Sequence, residues 1–178
     1  MVRRRLPGAA AALLLALAPA GASAQPVQGP PFIKPSGAEF PERIGDFKRV
    51  STNAVEPGRL GASYRRDGSD GLVDIFVAGA GMTVEEELLA TEGMIGRVFS
   101  DLRAVRDLPA PAAAPTARGR LWTALSGSVP VYTATMIDRR WGWRIKIRGT
   151  VSRSEGEAGV AAIETFIRDY GWWGRKPD

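Results

Sequence analysis

Residues 141–151 show the strictest alternation of side-chain character in the chain. Apolar and polar side chains follow one another along this stretch, so that the isoleucines fall on one side and Arg144, Lys146 and Arg148 fall on the other. Because successive side chains of a strand point to opposite faces, this pattern indicates a strand with one apolar and one cationic face. It predicts a sheet that packs on its apolar face, with helices covering that side, and that faces solvent on the other.

Residues 1–24 have the three parts of a secretory signal peptide. Residues 3–5 are three arginines, residues 9–18 form an apolar run, and residues 22–24 (Ala-Ser-Ala) offer a cleavage site of small residues. The apolar run is shorter than the roughly 20 residues that a membrane-spanning helix needs. The sequence therefore predicts cleavage after Ala24, a periplasmic or secreted mature protein, and no transmembrane segment after cleavage.

Charge and composition narrow the classes of function. The chain has 24 Lys and Arg against 19 Asp and Glu, and the predicted signal peptide removes three arginines and no acid, which leaves a balance of +2. Much of the basicity therefore belongs to targeting, and no nucleic-acid partner is predicted. The chain has no Cys and no His. This excludes disulfides, thiolate nucleophiles, imidazole bases and the usual zinc sites.

Prolines mark where a folded domain begins. Residues 25–41 hold five prolines and are unsuited to a regular helix or a central strand, so we expect an extended tether there. Residues 42–173 are predicted to form a single α+β domain, followed by a tail at residues 174–178. Trp172 and Trp173 are expected to fold back and seal one end of the core.

Within this domain the patterns predict strands in two groups, each followed by a helix. The strands are predicted at residues 47–52, 61–66, 72–78, 119–125, 129–137 and 141–151, with short turns between neighbours in each group. Thr83 and Glu86 fit a capping box for a helix whose apolar stripe continues for about six turns to Val105. A second helical stripe runs from Val160 to Tyr170. The predicted fold is α+β, with a mostly antiparallel sheet of about six strands and two main helices packed on it.

Candidate chemical motifs in the sequence are incomplete. Residues 79–81 (Gly-Ala-Gly) lack the third glycine of a dinucleotide fingerprint, and residues 67–71 (Asp-Gly-Ser-Asp-Gly) lack the ligand spacing of a calcium loop, so both are interpreted as turns. Ser63, Ser126 and Ser128 are candidate nucleophiles, but without histidine a serine would need a lysine or a carboxylate as its base. We expect no catalytic residue, no cofactor and no metal.

The cationic face of the alternating strand is the candidate binding surface. Arg144, Lys146 and Arg148 would lie about 7 Å apart in a row, and Lys48 and Arg65 would join them if their strands are in register. Such a row could dock an anionic partner such as a cell-wall polymer, a phospholipid headgroup or an acidic protein. The alternative interpretation is an ordinary solvated sheet face that resists aggregation.

The order of elements resembles a known group. The stretch at residues 40–47 (F-P-x-x-I-G-x-F), a hairpin, a central helix, three strands ending in Trp-Arg-Ile-Lys-Ile-Arg and a terminal helix resemble small exported bacterial proteins of unknown function. The order is also similar to that of the Mog1/PsbP/DcrB group, over roughly residues 40–173. The resemblance implies an antiparallel sheet flanked by helices and a binding or assembly-assisting role, and it carries over no site residues.

The sequence therefore predicts an exported, non-enzymatic protein that binds or helps to assemble a component of the cell envelope. Two alternatives stay open. One is a hydrolase without histidine, built on carboxylates or a Ser-Lys pair, which would need two titratable groups to converge in a pocket. The other is a small carrier that holds an apolar ligand between a helix and the sheet.

Overall fold

The computed structural model describes residues 32–33, 37–56 and 59–174. The predicted signal peptide and most of the predicted tether lie outside the described residues, as does the tail after Gly174. The packed structure begins earlier than residue 42, because Ala38 and Phe40, which the sequence analysis assigned to the tether, are fully buried.

The described chain forms one large antiparallel sheet, one small strand pair and two helices. The small pair joins β1 (Phe32–Ile33) to β2 (Ala38–Glu39). The strands of the large sheet are β3 (Arg43–Ile44), β4 (Phe47–Glu56), β5 (Arg59–Arg66), β6 (Leu72–Gly79), β7 (Ser100–Leu108), β8 (Arg118–Ser126), β9 (Val129–Arg140) and β10 (Trp143–Ser152). The helices are α1 (Val84–Val98) and α2 (Gly156–Asp169). The predicted α+β class is confirmed, and the described sheet has more strands than the sequence predicted.

The alternating strand β10 lies at the centre of the sheet. The spatial order is β3-β4-β5-β6-β10-β9-β8-β7, and every pair of neighbours is antiparallel. The chain forms β3 to β6 as one meander, crosses through α1 to the far edge, and returns through β7, β8 and β9. Because of this return, β10 pairs with β6, where Ile145 lies opposite Val77 and Ile147 lies opposite Ile75.

Helix α2 covers the apolar face of the sheet. Its residues Val160, Ile163, Phe166 and Ile167 are buried in the main core. The ring of Phe166 meets those of two sheet aromatics edge to face, with centroid distances of 5.2 Å to Phe47 and 5.1 Å to Tyr64. Burial of one such side chain stabilises the fold by about 1.5–3 kcal/mol.

A glycine in β10 and two tryptophans after α2 bring the end of the described chain close to the sheet. Gly149 lies in β10 beneath α2, where an added Cβ would come within 2.5 Å of Ile163 Cγ2. Trp172 is fully buried, and its indole nitrogen donates to the Ile167 carbonyl at 2.8 Å. Trp173 is partly buried, and its indole nitrogen donates to Asp138 Oδ2 at 2.6 Å. The predicted seal at this end of the core is therefore present, mainly through Trp172.

Helix α1 begins where the sequence predicted and ends several residues before the predicted end. Thr83 and Glu86 form a capping box, but the helix stops at Val98, and the rest of the predicted stripe up to Val105 lies in strand β7. The backbone turns at Asp101, which has φ of 51°. Beyond this turn, β7 pairs with β8, so that tertiary hydrogen bonding overrides the helical spacing of the apolar residues.

Candidate functional site

Helix α1 covers the cationic face of β10. It packs against β7, β8 and β9 on the side of the sheet opposite α2. Its residues Glu87 and Thr91 are buried and point at the strand that carries the three cations. The prediction that this face is open to solvent is therefore wrong for the part of the sheet beneath α1.

The three predicted cations of β10 are engaged inside the molecule. We call Asp74, Glu87, Arg144, Lys146 and Arg148 the inner charged layer. Side-chain exposure is 18% for Arg144, 12% for Lys146 and 29% for Arg148. Arg144 forms an ion pair with Glu87, Lys146 Nζ donates to Glu87 Oε1 at 3.2 Å, and Arg148 Nη2 donates to Asp74 Oδ2 at 3.1 Å.

Burial and charge act in opposite directions on Lys146. Loss of water lowers the pKa of the Lys146 ammonium, and the neighbouring Glu87 carboxylate opposes this shift. A buried charge is tolerated only when it is paired and hydrogen-bonded. The Glu87 carboxylate therefore attaches α1 to β10, because it pairs with two cations that α1 itself shields from solvent.

A second set of cations lies beyond the reach of α1. Arg43 on β3 lies directly opposite Lys48 on β4, which in turn lies opposite Arg65 on β5. We call these three residues the basic row. Arg65 pairs with Leu72 and Leu72 with Thr150, so the row lies on the same face of the sheet as Arg148. Its members are about 5 Å apart from strand to strand.

The basic row is exposed and poorly balanced by acids. All three side chains are exposed. Arg43 has a loose contact of 3.9 Å with Asp67, and both of these side chains are mostly in solvent. Lys48 and Arg65 form no ion pair with any part of the chain that the structure describes. The row is therefore a strip of net positive charge at one edge of the sheet.

Sequence reasoning identified two members of this row and missed the third. The sequence analysis expected Lys48 and Arg65 to join the β10 cations if their strands were in register. The strand pairing places both residues on the same face of the sheet as those cations. Arg43 was missed because β3 has only two residues, too few to show a strand pattern. The signal that could have found it is the tight Gly45-Asp46 link between β3 and β4, where Gly45 adopts a φ of +53°.

The alternative of a hydrolase without histidine needs a serine beside a lysine or a carboxylate. In the described residues a candidate serine contacts a carboxylate, and no hydrogen bond joins a serine to a lysine. Ser63 Oγ donates to Asp74 Oδ1 at 2.7 Å, and the same carboxylate accepts from Arg148. Lys146 instead donates to Glu87 and Thr91. Asp74 is thus shared between a hydroxyl and a guanidinium.

The turn at residues 67–71 is used for packing. Ser69 Oγ donates to Glu155 near the start of α2, and Asp70 accepts from the Ser152 amide at 3.3 Å. Among the residues that the structure describes, no group of three or more acidic side chains is arranged to hold a metal ion. The interpretation of this stretch as a turn agrees with these contacts.

The fold and the charges define an α+β protein with a helix on each face of one antiparallel sheet and a basic row at the sheet edge. No protein-family model matches the chain, and no curated protein matches it. The resemblance to the Mog1/PsbP/DcrB group therefore stays a prediction. Within the described range, no helix is long and apolar enough to cross a membrane.

Among solved structures, the chain is similar to LpqN of Mycobacterium tuberculosis, a protein described as involved in cell envelope biogenesis. The two sequences are 11% identical, and the match covers 70% of this chain and 75% of that chain with a TM-score of 0.38. A likeness of this size carries no argument about function, so the proposals below rest on the residues of this chain.

Proposed function

We propose that the protein is an exported, non-enzymatic binding protein that docks an anionic component of the cell envelope on the basic row of Arg43, Lys48 and Arg65. The observation that carries the proposal is the direct opposition of Lys48 and Arg65 on neighbouring strands, with no acid paired to either in the described residues. Like charges placed directly opposite each other destabilise a sheet. An anionic group bound across the row would remove that repulsion.

The spacing of the row suits a repeated or multivalent anion. Three cations about 5 Å apart can each contact one oxygen of a phosphate- or carboxylate-bearing partner. Because the row is at the surface, the attraction should be strong at low salt and weak at high salt. The inner charged layer contributes less to the proposed surface than the sequence suggested, since α1 covers Arg144 and Lys146 and Glu87 pairs with both.

The test is recovery of envelope material by the immobilised protein at low and at high salt. The test variant carries Arg43→Gln, Lys48→Gln and Arg65→Gln. We expect the wild-type protein to recover anionic material at low salt and to release it at high salt. The variant should recover no more than the bare resin does, because the surface charge that attracts the partner has been removed.

A matched control keeps the same net charge as the test variant. It carries Arg97→Gln, Arg103→Gln and Arg168→Gln, three exposed positions outside the row. This control should recover the same material as the wild type. Equal recovery by the wild type and by the variant of the basic row would contradict the proposal.

A further inference from the structure

An exposed tryptophan stands at the tip of the hairpin that joins β9 to β10. The two residues of this turn are Trp141 and Gly142, with φ of 52° and 78°. Two-residue hairpin turns with positive φ at both positions favour Asn-Gly or Asp-Gly, and a bulky side chain is strained there. Trp141 is 36% exposed, whereas Trp122 and Trp172 are fully buried. Core packing therefore does not explain a tryptophan in this turn.

A series of contacts fixes the position of the Trp141 ring. The ring of Trp173 meets it edge to face, with 6.0 Å between the centroids. The Trp173 indole nitrogen donates to Asp138 Oδ2 at 2.6 Å, and Thr116 Oγ1 donates to Oδ1 of the same carboxylate at 2.7 Å. Asp138 is only 2% exposed. Because a buried group holds Trp173 and Trp173 supports Trp141, the exposed ring is oriented before a ligand arrives.

Arg140 places a cation without a partner acid beside this ring. Its guanidinium carbon lies 5.3 Å from the centroid of Trp141, and its side chain is exposed. In the part of the chain that the structure describes, Arg140 has no hydrogen bond and no ion pair. Asp138, two residues earlier on the same strand, is already engaged by Thr116 and Trp173. The five N–H donors of the guanidinium are therefore open to an anionic ligand.

The surroundings of the ring favour a small polar ligand over a protein or a membrane. Thr116, Gly142 and Gly174 are exposed and present little apolar surface. The Ala80 amide donates to the Gly142 carbonyl at 2.9 Å, and Met82 after it adds one further exposed apolar side chain. A specific protein interface buries about 800 Å² per partner around an apolar centre, and a membrane anchor needs a continuous apolar face. Two separate side chains provide neither.

We infer that this turn binds a pyranose ring that carries a carboxylate, with the ring on Trp141 and the carboxylate on Arg140. The face of an indole is electronegative and attracts the polarised C–H groups on the flat side of a sugar ring. A guanidinium forms two parallel hydrogen bonds with a carboxylate. The ligand class is therefore a uronic acid residue of an acidic polysaccharide.

The experiment follows the indole N–H signals of the full chain by NMR during titration with three small probes. The chain has five tryptophans, and the signal of Trp141 is identified as the one missing from Trp141→Asn. Methyl β-D-glucuronide has the ring and the carboxylate, methyl β-D-glucoside has the ring alone, and glycolate has the carboxylate alone. We expect the glucuronide to shift the Trp141 signal and to leave that of the buried Trp122 unshifted. The other two probes should bind at least about tenfold more weakly, because each lacks one of the two contacts.

Three variants separate the ring from the charge. Trp141→Asn introduces a residue that this turn favours, so it should stay folded and should lose glucuronide binding, which is then read from the Trp173 signal. Arg140→Gln should weaken the binding of the glucuronide about tenfold and leave that of the glucoside unweakened. Arg139→Gln is the matched control, because it removes the same charge from the neighbouring position on the other face of β9. It should bind the glucuronide as the wild type does.

The proposal is overturned if the glucuronide shifts no indole signal, or if the glucoside or glycolate binds as tightly as the glucuronide does. It is also overturned if the substitution of Trp141 leaves glucuronide binding intact. Thermal midpoints check that each variant is folded. Trp141→Gly, which this turn also favours, replaces Trp141→Asn if the latter does not fold.

This site lies away from the basic row. Gly79 pairs with Trp143 beside the turn, Leu72 pairs with Arg65 of the row, and these two residues are the ends of β6. Lys48→Gln should therefore leave glucuronide binding unchanged. A single sugar ring makes few contacts, so this site alone should not retain envelope material on a washed resin. The sugar site and the proposed docking on the basic row can therefore fail independently.

Discussion

At the scale of single residues, Glu87 joins two of the cations on β10 to helix α1. It is 5% exposed, and its carboxylate forms ion pairs with both Arg144 and Lys146. Glu85 and Glu86, its neighbours in the first turn of α1, are exposed instead. The sequence analysis predicted that the cationic face is exposed to solvent. Three glutamates follow one another at the start of α1, and the sequence does not show which of them points towards the sheet.

Removal of the Glu87 charge should destabilise the fold. Glu87→Gln leaves two desolvated cations without their acid, and the expected loss is about 3 kcal/mol in the free energy of unfolding. Urea denaturation monitored by tryptophan fluorescence measures it. The control is Glu85→Gln, whose carboxylate has an exposed contact of 3.9 Å with Arg118 and should contribute less than about 1 kcal/mol. Equal effects of the two substitutions would contradict the role given to Glu87.

Two buried tyrosines should make the protein sensitive to alkali. Burial raises the pKa of Tyr64 and of Tyr170 above the ordinary value for tyrosine. A pKa that is higher in the folded state gives stability that is fully present below pH of about 10 and is lost as the pH rises further. The loss should approach about 1.4 kcal/mol per pH unit for each tyrosine.

Tyr170→Phe tests this pH dependence. Tyr170 Oη has no hydrogen-bond partner in the part of the chain that the structure describes, so its removal should cost little at pH 7. Above pH 10 the variant should lose stability less steeply than the wild type does. Urea midpoints at pH 7, 10 and 11 provide the comparison, and parallel pH profiles for the two proteins would contradict the prediction.

At the scale of elements, the two helices are attached to the sheet by different forces. Helix α2 buries four large apolar side chains in the main core, namely Val160, Ile163, Phe166 and Ile167. In α1 the buried residues are Glu87, Thr91 and Ile95. Because α1 depends on ion pairs and hydrogen bonds where α2 depends on apolar burial, α1 should open locally at a lower free energy.

Amide hydrogen exchange followed by mass spectrometry measures this difference. Peptides from α1 should exchange before those from α2, and Glu87→Gln should speed exchange in α1 while α2 keeps its protection. The reason is that this substitution removes the acid that pairs α1 with β10. Equal protection of the two helices in the wild type would show that the polar layer holds α1 as firmly as the apolar core holds α2.

The close approach of α2 to β10 gives a further prediction at this scale. Gly149→Ala puts a methyl group against Ile163 and should destabilise the fold by about 1–3 kcal/mol through overpacking. The control is Gly93→Ala in α1, where nothing lies within 4 Å of the added atom and where alanine favours the helix by about 1 kcal/mol. Thermal melting should move the two variants in opposite directions, and a neutral Gly149→Ala would contradict the packing described here.

At the scale of the whole molecule, local patterns predicted the elements better than they predicted the layers. The alternation in β10 and the capping box of α1 depend on neighbouring residues and were correctly identified. The path of α1 across the cationic face depends on where β7 pairs, which is decided by residues far along the chain. The same long-range pairing placed residues 100–105, the last part of the predicted first helix, in strand β7.

The candidate site was predicted in part for the same reason. Lys48 and Arg65 could be proposed because their strands have readable patterns, but their position opposite each other depends on the register in which β4 pairs with β5. Engagement of Arg144 and Lys146 could not be foreseen, since Glu87 reaches them from an element 57 and 59 residues earlier in the chain. Which cations remain free is therefore a property of the tertiary structure.

The central claim is that the basic row binds an anionic partner while the inner charged layer holds the fold together. The most direct measurement compares two variants for both recovery of envelope material and thermal midpoint. The variant of Arg43, Lys48 and Arg65 should lose recovery and melt no earlier than the wild type, because it also removes the repulsion between opposed cations. Arg144→Gln with Lys146→Gln should keep recovery at low temperature and melt earlier, since Glu87 loses its partners. The reverse result, lost recovery in the inner variant and normal recovery in the variant of the basic row, would contradict the account.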